Sequence, residues 1–113
     1  MKKPFKVSLE SAVRYHRLLS PGEQSQVLKA GLVRLAAHEA VGEHVTASRE
    51  EAIVVLEGTA RVEFEGFDPV TADCGSLVYI PPDTRHNVIN QGESPLRYVY
   101  LVAAVRHDEQ DRP

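Results

Sequence analysis

The sequence has one cysteine and no long apolar run, and each of these two shortages excludes a class of protein. Cys74 has no partner for an internal disulfide, so a disulfide-stapled secreted scaffold is excluded. No apolar stretch approaches the length of a membrane span, and the first residues lack the apolar segment of a signal peptide. We therefore expect a cytoplasmic protein without a membrane partner.

Basic residues are also in short supply. The chain has 13 Lys and Arg against 16 Asp and Glu, a formal net charge of −3, and never more than two cations in a row. This balance argues against a nucleic-acid partner. Gly-rich phosphate loops, a Gly-X-Ser-X-Gly elbow and paired-cysteine zinc motifs are absent too. The remaining expectation is a small-molecule ligand or substrate.

Glycine and proline recur at strand-length intervals, a pattern typical of an all-β sandwich or barrel. The first predicted strand pair is 26–29 with 32–37, and 57–59 is interpreted as a hairpin turn joining the next two strands. A two-sheet jelly roll would hide the edges of such strands. We divide the single domain into an N-terminal arm with the first strand (1–30), a barrel (31–105) and a flexible tail (106–113). Within the arm, 9–19 is either a short helical turn or a loosely packed segment.

The second half of the chain carries a motif with fixed spacing. Gly75, Pro81, His86 and Asn90 match the second motif of the cupin family, with Asp83 where that family has Gly. Asp tolerates a left-handed turn conformation better than most residues, so this change fits the loop. We interpret Asn90 as structural, its side-chain amide satisfying backbone groups.

The first half matches the family's other motif in part. That motif is His-X-His, three or four residues, Glu, six residues, Gly. His44, Glu51 and Gly58 fit it, and Thr46 replaces the second His. The chain thus resembles a small single-domain cupin from about 31 to 103.

This resemblance implies an all-β cupin jelly-roll (double-stranded β-helix) barrel with His44, Glu51 and His86 as metal ligands. Two imidazoles and a carboxylate suit a divalent transition metal such as Fe, Zn, Mn or Ni. The implied function is a metal-dependent enzyme acting on a small oxygenated molecule, of dioxygenase, isomerase or decarboxylase type. The alternative is a non-catalytic ligand-binding or sensing cupin with a metal-free pocket. The residues do not identify a catalytic group.

Further pocket candidates each have a structural alternative. Arg34 either binds a substrate carboxylate or extends to water from an edge. Thr46 is a poor metal ligand whose hydroxyl could instead hydrogen-bond a metal-bound water. The others are a histidine and three phenols that either line the pocket or serve packing, interface or surface roles: His38, Tyr79, Tyr98 and Tyr100. The apolar content of 52–56 and 99–105 exceeds what one small core requires, and we expect a homodimer to bury it.

Overall fold

Nine β-strands make up the regular structure of this chain, and the computed structural model describes residues 2–105. No helix occurs in that range, so the helical alternative for 9–19 is wrong. The predicted flexible tail, 106–113, lies outside the described residues. The strands are β1 (Tyr15–Leu19), β2 (Lys29–Leu35), β3 (His44–Val45), β4 (Arg49–Glu57), β5 (Thr59–Phe64), β6 (Phe67–Asp73), β7 (Leu77–Ile80), β8 (Arg85–Ile89) and β9 (Leu96–Ala104).

The strands form two antiparallel sheets that enclose the core. One sheet has the order β1-β2-β9-β4-β7 and the other β3-β8-β5-β6. Alternate side chains of each strand point inward, as the period of two requires. The fully buried aliphatic side chains at the centre come from both sheets and include Leu35, Ile53, Val62, Ile80 and Val88. The predicted all-β jelly roll is therefore confirmed.

The turn at 57–59 is a corner between the sheets rather than a hairpin. β4 pairs with β7 and β9, whereas β5 pairs with β6 and β8, so the chain changes sheet at Gly58. Gly58 has a φ of +82°, and a Cβ there would lie 2.4 Å from the Pro95 carbonyl oxygen. The hairpin interpretation is wrong because β4 and β5 do not pair with each other, and glycine is needed here for both its backbone angle and the close approach of Pro95.

The first strand pair also differs from the predicted one. β1 (Tyr15–Leu19) pairs with β2 (Lys29–Leu35), and most of 26–29 lies outside any strand. β6 contains Pro69, a residue that a central strand would not tolerate. Proline is tolerated there because β6 is an edge strand, where a missing N–H costs no ladder bond.

The buried side chain of Asn90 connects several backbone segments at one end of the barrel. The Asn90 amide donates hydrogen bonds to the carbonyl oxygens of Leu35, Ala36 and Ser94, as its predicted structural role requires. Its own oxygen accepts from the Gly92 N–H at 3.0 Å.

Between residues 2 and 105, no helix of the length and apolarity needed to cross a membrane is found.

Candidate metal centre

Three strands, β3, β4 and β8, bring the two histidines and the glutamate of the sequence motifs together. His44 on β3 lies directly opposite His86 on β8 in the antiparallel register. Glu51 on β4 shares the inward face with Ile53 and Val55, since the three residues are spaced by two. The turn before β8 contains Asp83 with a φ of 55°, the left-handed conformation expected from its place in the motif.

The donor atoms of these three side chains converge. One ligand atom from each of His44, Glu51 and His86 lies within 4.8 Å of the others. The two imidazole rings meet edge to face, with centroids 4.1 Å apart and planes at 62°. The His86 Nε2 is 3.4 Å from the Glu51 Oε1, too long for a strong charge-assisted hydrogen bond.

Backbone carbonyls fix the tautomer of both rings. The His44 Nδ1 lies 3.0 Å from the Gly42 oxygen, and the His86 Nδ1 lies 3.0 Å from the Thr84 oxygen. A carbonyl oxygen only accepts, so each Nδ1 carries the proton and donates it. In the neutral rings each Nε2 is left with a free lone pair, which is the arrangement found in metal-binding histidines.

His86 is the less ordinary of the two rings because it is buried without a partner for Nε2. The residue is 1 % exposed, and Nε2 is the one buried side-chain nitrogen or oxygen within residues 2–105 that makes no hydrogen bond. Burial lowers the pKa of His86, but the Glu51 carboxylate and the Thr84 carbonyl outweigh it, so the net shift is upward. The unpartnered buried nitrogen and the nearby carboxylate are two donor groups that could hold a metal ion together with His44.

A cavity of about 400 Å³ opens beside the cluster. Its walls include His44, Glu51, Tyr98 and Tyr100. Burial, followed by the nearby Glu51 charge, raises the pKa of the Tyr98 hydroxyl well above its usual range, so this phenol keeps its proton. The ring of Tyr100 lies over Gly31, where an added Cβ would be 2.4 Å from the phenolic oxygen.

Thr46 lines the same cavity, but its hydroxyl is occupied. It donates to the Pro81 carbonyl at 2.8 Å and accepts from the Thr84 N–H at 3.0 Å. The side chain therefore ties the β3–β4 loop to the turn that carries His86, and it leaves three candidate ligands.

The remaining predicted residues lie elsewhere. Arg34 shares a face of β2 with Leu32 and Ala30, opposite to the face of Val33 and Leu35, so it does not line the cavity. His38 pairs with the exposed Glu93, with 2.8 Å between His38 Nε2 and the carboxylate. Tyr79 is 55 % exposed and donates to Glu50 at 2.8 Å on the outer surface. None of these three side chains is brought to the cluster.

Two basic residues that were not among the predicted site residues also line the cavity, Lys29 and Arg49. A signal for Arg49 was present, because it stands two residues before Glu51 and so shares its face of the strand. Lys29 lies on the same face of β2 as Val33 and Leu35, since the three residues are separated by even numbers of positions. Its place beside the cavity could not be predicted, because only the observed register shows that β2 is next to β9.

Similarity to known proteins identifies the family to which this chain belongs. The family model described as a cupin domain matches residues 31–102, well over half of the chain. The chain belongs to the cupin family. Both sequence motifs that carry the candidate ligands of this cupin lie inside the matched stretch. No curated protein sequence is significantly similar to it.

Solved structures share the cupin fold at low identity. A Bacillus halodurans protein superposes with a TM-score of 0.79 at 21 % identity, covering 94 % of this chain and 85 % of the other. A predicted oxalate decarboxylase from Thermotoga maritima gives 0.74 at 18 % identity, with coverages of 80 % and 79 %. The Cnp3 cupin domain of Schizosaccharomyces pombe gives 0.71 at 15 % identity and 80 % coverage, and this chain spans only 60 % of that one. These likenesses show a common fold.

Proposed function

We propose that this cupin binds a divalent transition metal through His44, Glu51 and His86 and acts on a small oxygenated molecule. The observation that carries the proposal is the buried His86 Nε2, which has no hydrogen-bond partner and faces Glu51. His44 adds a second imidazole with its Nδ1 held by a backbone carbonyl. Two fixed imidazoles and a carboxylate fit Fe, Zn, Mn or Ni and leave coordination positions open.

The surroundings of the cluster support an enzymatic role. A bound metal would polarise a substrate oxygen or lower the pKa of a bound water, the chemistry used by metal-dependent dioxygenases, isomerases and decarboxylases. The 400 Å³ cavity is large enough for a small oxygenated molecule. Tyr98 presents a protonated phenol to this space and Glu51 keeps its position through β4, so both groups are oriented before a ligand arrives.

Elemental analysis of protein purified without chelator or added metal tests the proposal. We expect close to one divalent metal per wild-type chain. His44→Ala is the primary variant because His44 is exposed and its loss leaves the core intact. His86→Gln is the second variant, with circular dichroism to check folding. Both should lose about tenfold or more in metal affinity, measured by calorimetric titration.

His38→Ala is the matched control, since this histidine forms only a surface pair with Glu93. It should retain wild-type stoichiometry and affinity. A wild-type protein that holds no metal and whose melting temperature is indifferent to EDTA would contradict the proposal. That result would favour the metal-free ligand-binding alternative.

We also propose that the cupin forms a homodimer through the outer face of β7, β4 and β9. Apolar side chains paired across these strands support this: Leu77 lies opposite Val54, and Ala52 lies between Tyr79 and Leu101. Leu77 is 63 % exposed in the single chain. An apolar surface of this extent is typical of an interface between copies.

A further inference from the structure

Lys29 and Arg49 stand on the rim of the cavity, on the wall that also carries Glu51. Lys29 on β2 and Glu51 on β4 lie opposite the same β9 residue, Val102, from its two sides. Neighbouring strands are about 4.8 Å apart, so the backbones of Lys29 and Glu51 are separated by about 10 Å. Arg49 is two residues from Glu51, about 7 Å further along β4.

The two cations also border one neighbouring groove. A space of about 170 Å³ is lined by Lys29, Arg49, Val102 and Ala104, which places both side chains around the same end of β9. One small group at the cavity mouth is therefore within reach of both.

Neither cation is neutralised within residues 2–105. None of the ion pairs in that range includes Lys29 or Arg49. The acidic residues facing the cavity are Glu43 and Glu51. Glu43 lies 3.8 Å from Arg85, and Glu51 lies against His86. The rim thus offers two positive charges, and the two acids on the cavity wall each lie beside another basic side chain.

We propose that the ligand is a small organic acid whose carboxylate docks between Lys29 and Arg49 while its other end reaches His44, Glu51 and His86. This assignment rests on the proposed function for the inner end of the ligand. Arg binds a carboxylate through two parallel hydrogen bonds, and Lys adds a point charge. A ligand that meets both ends needs an acid group for the rim and a metal-binding oxygen for the cluster, which a dicarboxylate with a hydroxyl or oxo group at one end provides.

Malate and lactate form a matched pair of probes for this subsite. Both carry a 2-hydroxy acid end that can bind the metal cluster, but only malate has a distal carboxylate for the rim. Calorimetric titration of metal-loaded wild type should show malate binding about tenfold more tightly than lactate. Lys29→Gln and Arg49→Gln should each weaken malate binding about fivefold and leave lactate binding unchanged.

Arg34→Gln is the control, because Arg34 lies on the opposite face of the same strand as Lys29. It should bind malate like the wild type, and metal content measured in every variant should remain at the wild-type level. Equal affinity for the two acids, no malate binding to the wild type, or full malate affinity in the Lys29→Gln/Arg49→Gln double variant would each overturn the proposal.

The design separates this inference from the proposed metal site. If the wild type holds no metal, the same titrations on the metal-free protein still compare the rim variants with the Arg34→Gln control. Loss of malate binding in the rim variants would then support the carboxylate subsite alone. Retained binding would overturn it regardless of the metal.

Discussion

At the scale of single residues, Thr46 shows how a change in a motif alters a site without destroying it. The cupin motif has a histidine at this position, and here a hydroxyl connects two backbone segments instead. The connection joins the β3–β4 loop to the turn before His86. The residue that removes one potential ligand therefore helps to hold another in place.

Replacing Thr46 with Val tests this structural role. The substitution keeps the shape but leaves the buried Thr84 N–H and the Pro81 carbonyl without the Thr46 hydroxyl, so we expect a loss of about 1–3 kcal/mol in the free energy of unfolding. Urea unfolding measures this. Thr71→Val, at an exposed position on β6, is the control and should change stability by less than about 0.5 kcal/mol. Equal effects of the two substitutions would contradict the role.

The sequence alone could predict the three side chains of the cluster, because the spacing of the two motifs assigns His44, Glu51 and His86 to the ligand positions of a cupin barrel. It could not predict the two basic residues at the rim of the cavity. Arg34 was considered as a carboxylate-binding group and Lys29 was not, although both belong to β2. Only the register of β2 against β9 shows which of them faces inward. Parity within a strand is readable from sequence, but the absolute face is not, and irregularities such as the bulge between Val55 and Glu57 change it locally.

At the scale of elements, the sequence predicts that the chain is built of β-strands, but it predicts only in part which strands pair with each other. Gly58 between two apolar strands indicates a tight connection, yet a hairpin and a corner between sheets require the same residue. Long-range pairing decides, since β4 finds β7 and β9 while β5 finds β6 and β8. The corner at Gly58 and the turn between β7 and β8 both change sheet, and together they place Glu51 and His86 on facing sheets.

The outer face of β4 and its edge neighbour β7 yields an element-scale prediction. Leu77→Lys should shift the proposed dimer to monomer at micromolar concentration, because a charge would be buried in an apolar interface. Leu77 is 63 % exposed, so the single chain should remain folded. Phe67→Lys is the control, since Phe67 is 65 % exposed on the other sheet. Sedimentation velocity measures the outcome, and a monomeric wild type would refute the dimer.

At the scale of the whole molecule, the cluster links stability to pH in two opposite ways. Without metal, the pKa of His86 is raised above its ordinary value of 6.5. A raised folded-state pKa stabilises the fold below the unfolded value, and this contribution is lost as pH rises through the folded value. With metal, both imidazoles must be neutral, so metal-linked stability falls as pH falls. The sign of the pH dependence therefore reports whether the cluster holds a cation.

This reversal is measurable by urea unfolding from about pH 5.5 to about pH 8.5, the range in which histidine titrates. Other groups titrate too, so the quantity of interest is the difference between wild type and His86→Gln. In EDTA, the stability advantage of the wild type should shrink as pH rises. In excess Zn²⁺ or Mn²⁺, the same advantage should grow with pH, because deprotonated imidazoles bind the metal. A difference that declines with pH under both conditions would mean that His86 interacts with Glu51 alone and binds no metal.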